Sequence, residues 1–205
     1  RKYVPDDPFD GIHRKRAELP PPKALPWAAV LTDIENIRGR PLSPRDHALA
    51  LVMLYTGARV GEIVSRAVAD LNLETGALSL TRTKGREPRT VHLPSTIWHE
   101  MTGYLFWRAK MFPGSQVLFP ARHGDTLDER MVGLIFDSYG LQWSPHVLRH
   151  TYATELLRRS SNLVWVQKSL GHRSPATTAR YLKMFDEDKI KAAELMGQEV
   201  LESPR

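Results

Sequence analysis

Four residues in the last third of the chain stand at spacings that suit chemistry on a phosphate. His146 and Arg149 are three residues apart in "SPHVLRH", directly after a Ser-Pro pair that favours the start of a helix. Such residues share one helix face, and the first turn offers an anion its backbone N–H groups and a positive dipole end. Further on, "LGHRSPATTARYLK" places His172 after a glycine and Tyr181 nine residues later. These spacings favour an anion site with a phenol in reach.

A metal site is the main alternative for the same helix. His150 follows His146 by four residues, the spacing of the two histidines in helical zinc sites. We do not predict zinc, because no Glu follows His146 and Arg149 would place a positive charge where the cation must bind. The chain also contains no cysteine, which excludes disulfides, thiolate zinc sites and a thiol nucleophile.

Two positions in the first half of the chain carry charge beside turns. In "TGARVGEI", Arg59 follows a turn and Glu62 stands one helical turn later, while Lys84 lies at the tip of a predicted hairpin. By spacing alone, the first two residues form an ordinary solvated ion pair and Lys84 is a solvated turn lysine. A lysine on a hairpin tip can also reach into a groove and deliver a proton. Spacing leaves both interpretations open.

Taken in chain order, these residues resemble the tyrosine recombinases, the phage-integrase family of site-specific DNA strand exchangers. The segments "TGARVGEI", "HVLRHTYAT" and "LGHRSPATTARYLK" carry the likeness, which extends from about Lys23 to Glu187. The resemblance implies two phosphate-clamping arginines, a lysine that protonates the leaving 5′ oxygen, two histidines and a tyrosine nucleophile. Glu62 matches an acidic position beside the first arginine and is expected to orient it. The implied catalytic residues are Arg59, Lys84, His146, Arg149, His172 and Tyr181.

The implied reaction is attack of Tyr181 on a DNA phosphodiester, giving a 3′-phosphotyrosyl bond and a free 5′ hydroxyl. A phenol with a pKa of about 10 is ionised to roughly one part in a thousand at pH 7, so the tyrosine needs a proton acceptor. His146 is the expected acceptor, and His172 is expected to hydrogen-bond the phosphate or to close the site. The resemblance implies no metal, ATP or other cofactor. It implies double-stranded DNA as the partner, with a tetramer on DNA and a monomer in isolation.

Three other functions stand beside the recombinase. A type IB topoisomerase shares the tyrosine chemistry but rejoins the original strand, and the short spacing from His172 to Tyr181 favours the recombinase. A DNA-binding module without catalysis would be expected to lose the polar positions first, and all six are present. A basic helical domain that binds a protein leaves their order unexplained.

Composition agrees with a nucleic-acid partner. The chain has 205 residues, 41% of them hydrophobic, and a formal net charge of +6, which fits one domain with a core and a polyanionic ligand. Without a bilayer-length apolar run or a signal-type start, we expect a cytoplasmic, bacterial, archaeal or phage-encoded protein. Basic residues of the N-terminal arm and the hairpin are candidates for contacts with the DNA backbone: Arg14, Lys15, Arg16, Arg82 and Arg86.

The residue pattern around these positions predicts a mostly helical α+β domain of the integrase type with a small three-stranded antiparallel sheet. Residues 1–22 are expected to be a proline-rich arm that follows an N-terminal core-binding domain. Residues 23–185 form the predicted catalytic domain. Residues 186–205 are expected to form a C-terminal helix or tail that can dock on a neighbouring protomer.

Capping signals and periodicity predict where the individual elements lie. A capping box at Thr32 to Glu35 is expected to open a first short helix, and Ser43-Pro44 a second that ends at Gly57. A third short helix follows in "RVGEIVSR". Period-two alternation between 69 and 93 predicts the strands. Later helices are predicted to begin at Ser95, Thr126, Ser144, Asn162 and Ser174, the last carrying Tyr181.

Overall fold

Eight α-helices and three short strands make up the described part of the chain, which comprises residues 23–35, 42–80, 88–172 and 174–182 of a computed structural model. The strands form one antiparallel sheet in the order β1-β2-β3, so the predicted α+β class with a three-stranded sheet is confirmed. Within these ranges no helix is both long and apolar enough to cross a membrane. The elements are α1 (Trp27–Glu35), α2 (Pro44–Thr56), α3 (Val60–Val64), β1 (Leu71–Asn72), β2 (Ala77–Leu80), β3 (Arg89–His92), α4 (Trp98–Met111), α5 (Glu129–Ser138), α6 (Pro145–Ser160), α7 (Leu163–Leu170) and α8 (Pro175–Ala179).

Helix α2 lies at the centre of the main core and packs against α1, α4 and α6. Its sequence is apolar on all sides, as expected of a helix surrounded by protein, and every residue from Ala48 to Leu54 is buried. The predicted signals set both ends. Ser43 caps the start by accepting the backbone N–H of Asp46, and Gly57 ends the helix in the left-handed conformation with φ +59°.

A second, smaller set of buried side chains joins α6, α7 and the segment after α8. We call it the satellite cluster. It is separate from the main core, and its fully buried members are Ala153, Leu157, Val166, Leu170 and Tyr181.

Two predicted helix starts are wrong. Helix α1 begins at Trp27, directly after Pro26, so the Thr32 to Glu35 box lies at its C-terminal end. The main core decides this, because Val30 and Ile34 form one buried stripe that extends the helix backwards.

The start of α5 is also displaced from the predicted Thr126. Asp128 caps the helix by accepting the backbone N–H of Arg130, while Thr126 pairs with Pro120 in an isolated β-bridge. The other predicted helix starts, at Ser43, Ser95, Ser144, Asn162 and Ser174, agree with the structure, Ser95 through a single 3-10 turn that leads into α4.

Tyr181 does not lie on α8 as predicted. It follows the helix in a turn, where its backbone N–H donates to the carbonyl of Thr178. Three predicted segments fall outside the described residues: the arm at 1–22, the tip of the hairpin that carries Lys84, and the C-terminal helix.

Candidate active site

Arg149 extends from α6 into a buried junction of three backbone segments. Only 6% of it is exposed. Its guanidinium donates hydrogen bonds to the carbonyls of Gly57 and Leu170, the latter at 2.9 Å, and lies 3.1 Å from Nε2 of His172. Since Gly57 and Leu170 stand at the C-terminal ends of α2 and α7, negative dipole ends face the buried cation from two sides. The arginine is therefore fixed before any ligand arrives.

The turn at Gly57 admits only glycine for two reasons. Its φ of +59° lies in the left-handed region, and an added Cβ would stand 2.2 Å from a ring carbon of Tyr152. This close approach of α6 to the end of α2 places the Gly57 carbonyl on the Arg149 guanidinium. The "TG" of the motif thus positions one arginine and precedes the other by two residues.

Arg59 stands at the start of α3 and is held by Glu62. Its backbone N–H donates to Oε2 of Glu62 at 2.8 Å, and its Nη1 lies 3.6 Å from Oε1. The Arg59 side chain is 29% exposed and the Glu62 side chain only 3% exposed. The solvated ion pair expected from spacing alone is therefore wrong, because the carboxylate is inside the protein.

Glu62 has a second cationic partner that the sequence pattern did not single out. Arg89, the first residue of β3, donates to both carboxylate oxygens, at 2.7 and 2.9 Å. Burial alone would raise the pKa of Glu62, but the hydrogen bonds from Arg89 and from the Arg59 backbone outweigh it and lower the pKa to about 2. Glu62 is thus ionised over the whole physiological range.

His172 follows Gly171 and completes the cationic side of the site. Its Nε2 faces Arg149, and its Nδ1 lies 2.9 Å from the hydroxyl oxygen of Thr178, which is fully buried. Burial, followed by the charges of Arg149 and Arg59, lowers the pKa of His172 to about 4. The imidazole is therefore neutral at pH 7. Because a guanidinium only donates, Nε2 accepts from Arg149 and the single ring N–H, on Nδ1, donates to the Thr178 hydroxyl.

Tyr181 contacts a histidine other than the expected one. Its phenol oxygen lies 2.8 Å from Nδ1 of His150, and only 2% of the residue is exposed. Burial raises the pKa of Tyr181 against the opposing charges of Arg149 and Arg180. Burial, followed by the charges of Arg180, His146 and Arg149, lowers the pKa of His150 to about 4. A neutral imidazole thus faces the Tyr181 phenol.

From the sequence, His150 is weighed only as a metal ligand. Its position directly after Arg149 nevertheless places it next to the two arginines of the site. His146, the acceptor expected from the resemblance, lies exposed in the first turn of α6, and its role stays a prediction. Within the described ranges, no group of three or more His, Asp or Glu side chains is arranged to hold a metal ion.

The structure brings four of the six implied catalytic residues together. Arg149 lies close enough to four of the surrounding groups for their charges to shift its pKa: Arg59, Glu62, Arg89 and Tyr181. His172 contacts Arg149 directly. Lys84 lies outside the described residues, as do the candidate DNA contacts Arg14, Lys15, Arg16, Arg82 and Arg86.

Comparisons with known sequences identify relatives of this chain. The model of the phage integrase family matches residues 28–188. Tyrosine recombinase XerC of Neisseria gonorrhoeae is 35% identical over 189 residues, which cover 88% of this chain and 61% of the relative. Tyrosine recombinase XerA of Thermococcus kodakarensis is 30% identical over 195 residues, which cover 91% of this chain and 69% of the relative. The chain thus spans 61% of the length of the first of these relatives.

Solved structures are similar as well. A crystal structure of XerA recombinase superimposes with a TM-score of 0.69 at 29% identity, covering 90% of this chain and 65% of the other. XerH site-specific recombinase, in a post-cleavage complex with palindromic difH substrate, gives a TM-score of 0.69 at 26% identity, covering 86% and 54%.

Proposed function

The chain belongs to the phage integrase family, and on that premise we propose that it is the catalytic domain of a site-specific DNA recombinase. Tyr181 attacks a DNA phosphodiester, the bond from phosphorus to the 5′ oxygen breaks, and a 3′-phosphotyrosyl bond forms. The 5′ hydroxyl of a second strand then attacks that bond and releases the tyrosine. The reaction conserves the number of phosphoester bonds, so it needs no ATP.

One observation carries this proposal: a buried tyrosine, whose phenol contacts His150, lies within electrostatic range of two arginines that other groups already hold in place. The phosphorane that forms during attack carries extra negative charge on its non-bridging oxygens. Fixed guanidinium groups stabilise that charge without reorganising, and each such donor is typically worth on the order of 3 kcal/mol. Arg59 offers the more exposed guanidinium and Arg149 the more rigid one.

The phenol proton is the second requirement. His150, with a pKa of about 4, is a weak base in the DNA-free protein and serves there to orient the phenol. A phosphate anion beside the arginines offsets the positive charge that lowers the pKa of this histidine, so proton transfer becomes easier once DNA is bound. We propose Lys84 as the acid for the 5′ oxygen and His146 as a further proton acceptor, as the resemblance implies.

DNA must also gain access to the phenol. At 2% exposure, Tyr181 is closed to a duplex. We propose that DNA binding shifts the turn that carries it and so moves Tyr181 out of its place in the satellite cluster.

The proposed partners and organisation follow the same premise. We propose double-stranded DNA as the substrate, a tetramer on DNA and a monomer in isolation, within the cytoplasm. Residues 1–22 are proposed as an arm, 23–185 as the catalytic domain and 186–205 as a segment that docks in trans. Light scattering with and without site DNA measures the assembly.

Covalent trapping tests the proposal. The chain is incubated without added metal on nicked duplexes, one carrying difH and a pool with randomised sequence, and then denatured. We expect a protein–DNA adduct on Tyr181, mapped by mass spectrometry and absent from Tyr181→Phe. DNA binding without an adduct would instead favour a binding module.

A second step separates the recombinase from a topoisomerase. The trapped adduct is offered a strand with a 5′ hydroxyl and a new sequence. Joining to that strand supports strand exchange, whereas rejoining only to the original strand favours the topoisomerase.

A further inference from the structure

Arg89 is a third arginine at the site, and its contacts are unusually specific. It stands at the start of β3, and its two terminal nitrogens each donate to one oxygen of Glu62, at 2.7 and 2.9 Å. This is the parallel fork geometry that guanidinium forms with carboxylate. Its side chain is only 16% exposed, so solvent competes little for these bonds.

The same carboxylate also holds Arg59, but at longer range. The Nη1 of Arg59 lies 3.6 Å from Oε1 of Glu62, against 2.7 Å for Arg89. Glu62 thus holds Arg89 by two parallel hydrogen bonds, and Arg59 by its backbone N–H and a longer ion pair. One buried carboxylate therefore fixes the positions of both arginines.

Arg89 reaches a second part of the site through Gly171. A Cβ placed on Gly171 would stand 3.1, 3.2 and 3.3 Å from three atoms of the Arg89 guanidinium. Three similar distances mean that the guanidinium lies flat against this glycine. Gly171 joins Leu170, whose carbonyl holds Arg149, to His172. The guanidinium therefore supports the turn that presents the histidine.

We propose that Arg89 is a positioning residue of the active site, which fixes Glu62 beside Arg59 and braces the Gly171 turn so that Arg59 and His172 meet one phosphate. It links two segments, α3 and the end of α7, that are far apart in the chain. The expected effect of Arg89 on cleavage rests on the proposed function. The support that Arg89 gives to the Gly171 turn, in contrast, is a property of the protein without DNA.

The matched comparison is Arg89→Gln against Arg158→Gln. Arg158 also donates two bonds to one carboxylate, that of Glu155 at 2.8 and 2.8 Å, but it is 61% exposed and outside the site. Single-turnover cleavage of the nicked duplex and DNA affinity are measured separately. We expect Arg89→Gln to slow cleavage by about 100-fold, as for a misplaced reactive group, with affinity changed less than threefold. Arg158→Gln should stay within twofold of the parent rate.

A coupling measurement shows whether Arg89 acts through Arg59. In an Arg59→Lys variant the cation at position 59 is already misaligned. Adding Arg89→Gln should therefore slow cleavage much less than the same change does in the parent protein. If the fold-losses in cleavage rate of Arg59→Lys and Arg89→Gln simply multiply in the double variant, the positioning role is overturned. Equal cleavage by Arg89→Gln and the parent would do so as well.

A folding defect is separated by a charge-matched variant. Arg89→Gln combined with Glu62→Gln removes the buried pair as a whole and leaves no lone carboxylate. If this variant is folded and cleaves more slowly than Glu62→Gln alone, positioning by Arg89 is supported. If it cleaves at the parent rate, Arg89 only neutralises Glu62 and the proposal fails.

NMR of labelled histidines keeps the test independent of the reaction. We expect Arg89→Gln to shift the His172 ring signals and raise their titration midpoint, and Arg158→Gln to leave both unchanged. Unchanged His172 signals in Arg89→Gln would overturn the bracing, even in a protein that forms no adduct. Absence of an adduct in the parent chain, with the His172 shift present, would overturn the proposed function alone.

Discussion

The two arginines and the tyrosine of the site are held in place by different kinds of contact. The arginines are tied through Gly57, Leu170 and Glu62 to helix ends and to the start of β3. Tyr181 belongs to the satellite cluster, whose buried members come from α6, α7 and one short turn. The arginines are held by several hydrogen bonds, and the tyrosine by a small apolar cluster and one histidine.

This difference fits the separate demands of the reaction. Groups that stabilise a transition-state charge work best when they are already in place. A nucleophile that must become accessible to DNA has to sit where opening costs little. Local opening free energies are lowest where few apolar contacts are buried, and α8 has only five residues, too few to be stable alone. The arginine side of the site is thus the stable one, and the turn that carries Tyr181 is the one that opens more easily.

Removing the rigid cation should have the largest effect. Arg149→Ala leaves the carbonyls of Gly57 and Leu170 buried without their donor, which costs about 2–5 kcal/mol of unfolding free energy, and should slow cleavage by at least about 1,000-fold. Tyr181→Phe should abolish cleavage but change stability by only about 1 kcal/mol. Urea denaturation and adduct kinetics measure both. Equal losses of stability in the two variants would break the contrast.

Gly57→Ala should have the next largest effect. The new Cβ meets the Tyr152 ring at a backbone φ of +59°, so strain and overpacking together should cost about 2–4 kcal/mol of unfolding free energy. Gly103→Ala is the matched control, because its Cβ would meet nothing within 4 Å inside α4, and it should stabilise by about 0.5–1 kcal/mol. Denaturation midpoints of the two variants should move in opposite directions.

Acid should destabilise the protein through the two neutral histidines. The pKa values of His150 and His172 are lowered from 6.5 to about 4, so between these limits the unfolded chain binds more protons than the folded one. Stability is therefore full above about pH 6.5 and falls toward pH 4, by about 3 kcal/mol for each histidine. His172→Gln should flatten the pH dependence of the urea midpoint by about half. A midpoint that does not change between pH 7 and 4.5 would contradict this.

The smallest effect should be local. Val166→Ala removes two methyl groups from the satellite cluster and should cost about 1–2 kcal/mol. Hydrogen exchange should then become roughly ten times faster for amides of α7 and of the turn at Tyr181, while amides of α2 stay protected. Equal acceleration in α2 would show that the cluster and the main core open together.

Local signals predicted the elements whose ends are fixed by neighbouring residues. Ser43 with Pro44, and Asn162 before α7, act within one helical turn, and the structure confirms them. The Thr32 box failed because the helix that contains it already begins at Trp27, and only the packing of Val30 and Ile34 against the main core shows this. Thr126 failed for a similar reason, since its pairing partner, Pro120, belongs to the preceding segment.

The sequence alone determined the order of the site residues and, through it, the family: arginine after "TG", His-x-x-Arg at a helix start, and a tyrosine after "LGH". The tertiary structure decided which partner each one has. His150 meets Tyr181 across 31 residues, and Arg89 meets Glu62 across 27. No local period encodes such distances, because they are set by how separate helices and strands pack against one another.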